Sequence, residues 1–274
     1  MDHLPNPNET RRAPCPEHGD YESRNFVRNI WSKCPSCELA RRAAEAEEEE
    51  ARRQQKIAER HHADRLHGAR IPARFIGRSF DNFKADSEAQ KSALTVARDY
   101  AEQFADNLHR GQGLIFSGLP GTGKSHLAAA ILQTMLRRSI CYVTCMDMIR
   151  EVRDTWRKGS DRSELQLLET FGRMDLLVID EIGVQYGTDS EQTIIFDVLD
   201  RRYRDVLPTI LLTNQDHAGL KQFIGERTYD RLTETCKWVA FDWASYRTQA
   251  RKDDSARSQP RRGAAVDSFM AGAV

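Results

Sequence analysis

Eight consecutive residues of this chain have the types and the spacing of a phosphate-binding loop. They match the pattern G-x-x-x-x-G-K-[ST] in the run Gly118-Leu119-Pro120-Gly121-Thr122-Gly123-Lys124-Ser125. The glycines let the backbone pass close to an anion, Lys124 can reach β- and γ-phosphates, and the Ser125 hydroxyl can ligate Mg²⁺. A strand pattern precedes the loop and a helical pattern follows it, which disfavours a chance glycine turn. The pattern predicts that a nucleoside triphosphate is bound by Gly118, Pro120, Gly121, Thr122, Gly123, Lys124, Ser125 and His126.

Two acidic residues follow an apolar run further along the chain. The run Leu176–Ile179 reads as a buried strand that ends in Asp180 and Glu181. Ligands bind at the carboxyl ends of parallel strands, so both acids are expected beside the phosphate loop. Asp180 is predicted to hold Mg²⁺, directly or through water, and Glu181 to orient and deprotonate an attacking water. An Asp-Glu pair alone would indicate only the start of a helix.

The next apolar run and three arginines extend this chemistry. Thr209–Thr213 is followed by Asn214, which can touch both the γ-phosphate and the water; an ordinary turn asparagine is the alternative. An arginine at the γ-phosphate stabilises transition-state charge, often from another subunit. Arg227, Arg231 and Arg247 have the charge for this role. From the residues alone, surface arginines paired with Glu226 or Asp230 are the favoured interpretation.

The elements that must position these residues alternate between strand and helix patterns. Residues 84–248 are predicted to form an α/β domain with a parallel sheet. The candidate strands are 113–117, 140–144, 176–180, 209–213 and 238–241, and helices are expected near 88–109, 125–138, 147–157, 163–171, 190–206 and 226–234.

Cysteine and histidine form a second group with metal-ligand spacing. Cys15 and His18 follow the pattern C-x2-H, and Cys34 and Cys37 follow C-x2-C. Fifteen residues separate the two pairs. Two ligand pairs on proline-containing turns suit a tetrahedral Zn²⁺, and four protein ligands make the site structural. Residues 12–39 are therefore predicted to be a zinc-binding module. The alternative is unpaired thiols in a disordered arm.

The rest of the chain is polar and carries balanced charge. Residues 40–67 read as a solvated charged helix, 68–83 as a linker and 249–274 as a disordered tail. The 41 basic and 41 acidic residues cancel, so bulk charge predicts no nucleic-acid or membrane partner. No apolar run approaches a membrane span and the start is unlike a signal peptide, so a cytoplasmic location is expected.

Several of these motifs together resemble a known family. The phosphate loop, the run 180–185, the segment from Gly225 to Arg231 and Trp243-Ala244-Ser245-Tyr246-Arg247 are similar to the DnaC-type bacterial helicase loaders. These are AAA+ ATPases related to transposition helper ATPases of the IstB type. The resemblance implies a P-loop AAA+ core with a five-stranded parallel sheet and a truncated lid, ATP with Mg²⁺, and head-to-tail self-association on a hexameric replicative helicase.

The resemblance also implies roles for particular residues. Arg231 looks like an arginine finger with Arg227 beside it, and Arg247 looks like a second sensor. Loaders of this kind grip single-stranded DNA with a helical element that lies here at 147–173. The candidate DNA contacts are Arg153, Trp156, Arg157 and Lys158. Basic side chains meet phosphates and an aromatic ring stacks on bases. A core tryptophan with solvated basic neighbours is the alternative.

The expected function is ATP-dependent loading of a hexameric helicase onto single-stranded DNA, with hydrolysis timing its release. The zinc-binding module resembles the amino-terminal modules of phage and Gram-positive-type loaders, which contact the helicase and are encoded by bacteria or their phages. Residues 12–67 are therefore expected to bind the helicase, and 84–248 to bind ATP and DNA. One rival is an IstB-like helper that acts with a transposase on double-stranded DNA. Another is a metal-stabilised adaptor that holds ATP as a structural ligand, which the complete set of Lys124, Ser125, Asp180 and Glu181 disfavours.

Overall fold

The computed structural model describes residues 9–27, 30–183, 188–246 and 248. The chain divides into two compact units, Met1–Asp64 and Arg65–Val274. The predicted disordered tail, 249–274, lies outside the described residues, as does Arg247. None of the described helices has both the length and the apolar character needed to cross a membrane.

The first unit contains a small antiparallel sheet that the sequence did not indicate. Its strands are β1 (Thr10–Cys15), β2 (Gly19–Val27) and β3 (Ile30–Trp31), in the order β1-β2-β3. The turn between β1 and β2 returns at Gly19, whose φ of 77° suits a residue without a side chain. The pairing places Cys15 opposite Gly19 at the end of the hairpin. The hairpin therefore carries Cys15 and the turn residue His18 together.

One long helix follows, α1 (Pro35–Gly68). It begins five residues before the predicted start, with proline in the first turn, where the missing N–H costs nothing. Salt bridges at i,i+4 spacing join Glu38 to Arg42 at 3.4 Å and Glu48 to Arg52 at 4.0 Å. Most of its side chains are exposed, as predicted for a solvated helix.

The second unit is built on a five-stranded sheet in which every neighbouring pair is parallel, which confirms the predicted α/β fold. The strand order is β5-β6-β7-β4-β8. The strands are β4 (Gly113–Gly118), β5 (Ile140–Thr144), β6 (Leu176–Ile182), β7 (Thr209–Thr213) and β8 (Cys236–Phe241). Their carboxyl ends share one edge, so the residues that follow β4, β6 and β7 are brought together.

Eight described helices surround this sheet. They are α2 (Glu88–Glu102), α3 (Phe104–Arg110), α4 (Lys124–Thr134), α5 (Cys145–Asp154), α6 (Glu164–Gly172), α7 (Asp189–Arg204), α8 (His217–Ile224) and α9 (Glu226–Thr235). The single helix expected near 88–109 is broken at Gln103, and α8 was not predicted. Capping boxes built on Ser87, Ser163 and Thr188 fix the starts of α2, α6 and α7.

Two apolar cores lie on opposite faces of the sheet. Leu114 and Phe116 of β4 pack in one core with residues of α2 and α4, and Ile115 packs in the other with residues of α5 to α9. Alternate residues of a strand point to opposite faces, which explains this division. The segment predicted as a linker belongs to the first core: Ala69 and Ile71 are buried, and the Ala69 carbonyl accepts the Tyr142 N–H at 2.8 Å.

Candidate functional site

The phosphate loop joins the end of β4 to the first turn of α4, as the sequence predicted. Gly123 precedes the helix with a φ of 103°. A Cβ atom there would lie 2.6 Å from the Phe83 ring, and one on Gly118 would lie 2.1 Å from the Phe241 carbonyl oxygen. Close packing as well as backbone conformation therefore requires glycine at these positions.

Lys124 and Asn214 meet at the base of the loop although 90 residues separate them. The Lys124 Nζ donates hydrogen bonds to the Asn214 Oδ1 at 2.9 Å and to the Leu119 carbonyl at 2.8 Å. Only 8% of Lys124 is exposed. The loop thus concentrates a buried positive charge beside the amide predicted to touch the γ-phosphate and the water.

Asp180 is held by donors from three elements. Its Oδ2 accepts the Ser125 Oγ hydrogen bond at 2.9 Å and a hydrogen bond from the Tyr142 hydroxyl, and its Oδ1 accepts the Glu181 N–H at 2.7 Å. Oxygen ligands from a hydroxyl and a carboxylate suit Mg²⁺. Ser125 and Asp180 therefore fit the predicted magnesium site, in which they would hold the cation against the phosphates.

Glu181 adopts a backbone conformation that is unusual for glutamate. Its φ is 59°, and the pairing of β6 with β7 shifts register between Ile179 and Ile182. A bulge of this kind re-aims a side chain, and a left-handed non-glycine residue costs about 1 kcal/mol or more. Leu176–Ile179 are buried whereas Glu181 is exposed. The bulge thus leaves the proposed base exposed in the lining of the cavity described next.

A cavity of about 400 Å³ lies above these residues. The phosphate loop, Asp180, Glu181 and Asn214 form part of its lining, and another stretch of the wall includes Arg74, Phe75, Arg78, Asn82 and Phe83. This wall comes from the segment predicted as a linker. The clustered aromatic residues Phe75, Phe80 and Phe83 were the signal that could have revealed it.

His126 ties that wall to the phosphate loop. Its ring lies edge-on to Phe83 with centroids 5.3 Å apart, and its Nε2 lies 2.8 Å from the Ser79 carbonyl oxygen. Burial lowers the pKa of His126 from its usual value. The neutral ring therefore donates to Ser79 at neutral pH and fixes the wall against α4.

The segment after β8 closes another side of the cavity. The Trp243 Nε1 donates to the Thr122 carbonyl at 3.0 Å, and the Tyr246 N–H donates to the Gly121 carbonyl at 3.0 Å. Trp243 and Tyr246 line the cavity. The described part of the predicted Trp243–Arg247 motif therefore contacts the loop directly.

Arg227 and Arg231 lie on α9 and do not line this cavity. Arg231 is only 20% exposed, forms an ion pair with Asp200 of α7, and lies 4.9 Å from the centre of the Tyr203 ring. Arg227 is exposed, with its guanidinium 5.5 Å from the centre of the Phe196 ring. Arg231 thus pairs with an acid of α7, and among the described residues no ion pair joins either arginine to Glu226, which pairs with Lys221, or to Asp230.

The predicted DNA-contact residues occupy the end of α5 and the turn after it. Trp156 is 53% exposed, so the alternative of a core tryptophan is wrong. Its Nε1 donates to Glu164 at 2.8 Å, and Arg157 pairs with Asp154 at 3.3 Å. Arg153 instead contacts the start of α7, where it donates to Thr188, Ser190 and Glu191. Lys158 is exposed.

The four predicted zinc ligands come together in the first unit. The ligand atoms of Cys15, His18, Cys34 and Cys37 all lie within 4.8 Å of one another. The Cys37 Sγ lies 3.2 Å from the His18 Nδ1 and 3.5 Å from the Cys15 Sγ. A hydrogen bond with His18 lowers the pKa of Cys15, whereas a hydrogen bond with Cys15 raises the pKa of Cys37, so Cys15 is the thiol of this pair that ionises first. Three sulfurs and one imidazole at this spacing fit a tetrahedral Zn²⁺.

Comparison with known protein families agrees with this site. The family model of IstB-like ATP binding proteins matches residues 44–254, which is most of the chain. This chain belongs to the IstB-like ATP-binding family. The family match therefore supports ATP as the nucleotide that this chain binds.

Two individual relatives give a more specific comparison than the family model does. The replicative helicase loader DnaC of Escherichia coli strain K12 is 44% identical over 174 residues, spanning 62% of this chain and 69% of the relative. DnaC of Buchnera aphidicola from Schizaphis graminum is 39% identical over 183 residues, spanning 66% and 73%. These relatives confirm the predicted resemblance to the DnaC-type loaders.

Solved structures of this family and its neighbours share the fold. A crystal structure of the DnaC helicase loader matches with a TM-score of 0.56 and 25% identity, over 61% of this chain and 98% of the other. DnaA from Aquifex aeolicus bound to AMPPCP matches with a TM-score of 0.54 and 18% identity, over 70% and 58%. The second unit is thus a P-loop AAA+ domain, as predicted.

Proposed function

We propose that this protein is an ATPase that delivers a hexameric replicative helicase onto single-stranded DNA, with ATP hydrolysis timing release of the helicase. The observation that carries the proposal is the 44% identity to the Escherichia coli replicative helicase loader DnaC. In addition, the residues needed for phosphoryl transfer lie around one cavity. A structural ATP ligand would need fewer of them.

The chain's own residues divide the chemistry between them. The loop amides and Lys124 bind the phosphates, and Ser125 and Asp180 hold Mg²⁺, which neutralises charge on the β- and γ-phosphates when bound. Glu181 takes the proton of the attacking water, and Asn214 orients that water against the γ-phosphate. The contact between Lys124 and Asn214 at 2.9 Å supports a common location for phosphate and water.

Full activity requires a second copy of the chain. Arg231 and Arg227 lie on α9 and do not line the cavity of their own chain, although a cation at the γ-phosphate accelerates phosphoryl transfer by several orders of magnitude. Head-to-tail self-association supplies the arginines in trans. In that arrangement Arg231 must leave Asp200, so assembly on a helicase couples to hydrolysis.

The end of α5 supplies the contact to single-stranded DNA. Trp156 offers a half-exposed stacking surface, and Arg157 and Lys158 offer exposed charge beside it. Stacking and phosphate contacts are the two usual sources of affinity for single strands. Arg153 has a positioning role, because its contacts with Ser190 and Glu191 link the end of α5 to the start of α7.

The first unit provides the surface for the helicase. Zinc held by Cys15, His18, Cys34 and Cys37 stabilises a three-stranded sheet that has little apolar core of its own. The exposed side chains Phe26, Ile30 and Leu39 are apolar groups in this unit that a partner can cover. We assign the zinc-binding module and the charged helix to partner binding, and the second unit to ATP and DNA.

A transposition helper is the second candidate, because the matching family takes its description from IstB-like proteins. Size-exclusion chromatography with light scattering separates the two. The purified chain with ATP and Mg²⁺ is mixed with a candidate hexameric replicative helicase or with a transposase. A loader forms a stable complex with the helicase and none with the transposase. The reverse outcome would establish the helper function and reject loading.

A further inference from the structure

Tyr142 is a side chain of the ATP site that neither the phosphate loop nor the acidic strand end includes. It lies on β5, beside β6, where the pairing sets Tyr142 opposite Val178 and Thr144 opposite Asp180. The residue is 3% exposed, and its hydroxyl donates to the Oδ2 of Asp180. Phe75 flanks the ring with centroids 6.1 Å apart. The hydroxyl is therefore the one polar group of a packed side chain, and it is aimed at the magnesium-binding carboxylate.

The Tyr142 hydroxyl donates to a carboxylate in this position. A charge-assisted hydrogen bond of this kind is stronger than one between neutral groups.

Tyr142 differs from the other two donors to Asp180. The Glu181 N–H occupies Oδ1 and leaves Oδ2 to Ser125 and Tyr142. A serine hydroxyl has two lone pairs beside its one proton, so Ser125 can ligate Mg²⁺ and still donate to Oδ2. Tyr142 donates to Oδ2 from outside the cavity lining, so its contribution is to hold Asp180 in place.

We propose that Tyr142 is a positioning residue for the magnesium site: its hydroxyl fixes the Asp180 carboxylate in the orientation that holds the cation against ATP. The inference rests on the proposed function, in which this cavity binds ATP with Mg²⁺. Partners that orient metal ligands in this way typically contribute 10- to 100-fold to metal affinity. Tyr142 itself does not line the cavity, so it acts through Asp180.

The test uses Mn²⁺ as a paramagnetic probe of the full-length chain saturated with ADP. Free Mn²⁺ is measured by electron paramagnetic resonance during a titration, and a fluorescent ADP analogue measures nucleotide affinity separately in EDTA. Tyr142→Phe is expected to weaken Mn²⁺ binding about tenfold while leaving nucleotide affinity in EDTA unchanged. Tyr100→Phe is the matched control, because Tyr100 is also buried but its hydroxyl donates to the Gln112 carbonyl.

A double-mutant cycle with Asp180→Asn separates positioning from a general packing effect. If Tyr142 acts through Asp180, Tyr142→Phe has little further effect on Mn²⁺ affinity once Asp180 is changed. Equal Mn²⁺ affinity in Tyr142→Phe and the unaltered chain overturns the inference, and so does the same fold-loss in both Asp180 backgrounds. Failure of the unaltered chain to bind Mn²⁺ with ADP would instead reject the proposed ATP site.

Discussion

Glu181, which we propose as the catalytic base, has a strained backbone, since its φ of 59° is rare for a residue with a Cβ. Replacing it with Gln keeps the shape of the side chain and removes the base. We expect Glu181→Gln to lower the rate of ATP hydrolysis by 10²- to 10⁴-fold and to leave ATP affinity within about twofold. Steady-state hydrolysis and equilibrium binding of the same preparation measure the two effects. Unchanged hydrolysis would show that Glu181 is not the base.

Arg202 is a buried charge whose partners are almost all backbone groups. Only 1% of it is exposed, and its guanidinium donates to the carbonyls of Phe171, Met174 and Pro208 and to the Thr209 hydroxyl. Burial lowers its pKa to about 10, so it stays charged at neutral pH. The guanidinium thus joins the end of α6 to β7.

Arg202→Met leaves those acceptors buried without donors, so we expect a loss of about 3 kcal/mol in the free energy of unfolding. Arg204→Met on the same helix is the control, because Arg204 is exposed and its ion pair with Asp200 contributes less than about 1 kcal/mol. Urea unfolding monitored by circular dichroism gives both values. Equal stabilities of the two variants would contradict the account of Arg202.

At the scale of elements, the turn after α5 is the proposed grip on single-stranded DNA. Stacking of a base on an aromatic side chain contributes about 1–3 kcal/mol. Trp156→Ala is therefore expected to weaken binding of a labelled oligonucleotide about tenfold in fluorescence anisotropy at constant salt. Leu165→Ala is the matched control, since Leu165 is 55% exposed on α6 but has no stacking surface. Equal losses in the two variants would place the DNA elsewhere.

The strands around the site were predictable because each buried parallel strand is a short apolar run that ends in a polar residue. Leu176–Ile179 before Asp180 and Thr209–Thr213 before Asn214 show this pattern. The sheet of the first unit was not predictable, because β1 and β2 bury little apolar surface. Their sequences also do not alternate between apolar and polar residues. The wall at 74–83 escaped prediction because its packing on α4 bridges distant residues, as in the contact of Gln133 with Arg78.

The arginine positions show the limit of sequence patterns more sharply. The family resemblance implies that Arg231 is an arginine finger, but its pairing with Asp200 depends on how α7 and α9 pack. A contact of this kind joins residues 31 positions apart with no shared periodicity. Tyr142 and Asp180 meet in the same way, through the register of two neighbouring strands.

At the scale of the molecule, we expect each of the two units to have a binding function of its own. Deletion of residues 1–64 removes the zinc ligands but keeps Leu66, Ala69 and Ile71 in the core of the ATPase unit. The truncated chain is expected to bind a fluorescent ATP analogue within about twofold of the full chain and to lose helicase binding. Retained helicase binding in a pull-down would reject this division.

Removing zinc from the intact chain is expected to have the same effect on helicase and nucleotide binding as deleting residues 1–64. A structural zinc supplies most of the folding free energy of a small module. A chelator strong enough to strip Zn²⁺ should therefore abolish helicase binding and leave nucleotide binding unchanged, and added Zn²⁺ should restore it. Cys34→Ser provides the matched genetic test, with metal content measured by mass spectrometry.

The central claim is that ATP at the second-unit cavity drives transfer of a helicase to DNA. Its most direct measurement is strand unwinding on closed circular single-stranded DNA that carries an annealed oligonucleotide and a coat of single-strand-binding protein. We predict that the helicase unwinds this substrate only with the present chain and ATP, and that Lys124→Ala abolishes the effect while helicase binding persists. Unwinding that is equally fast without the chain, or with Lys124→Ala, would contradict the account.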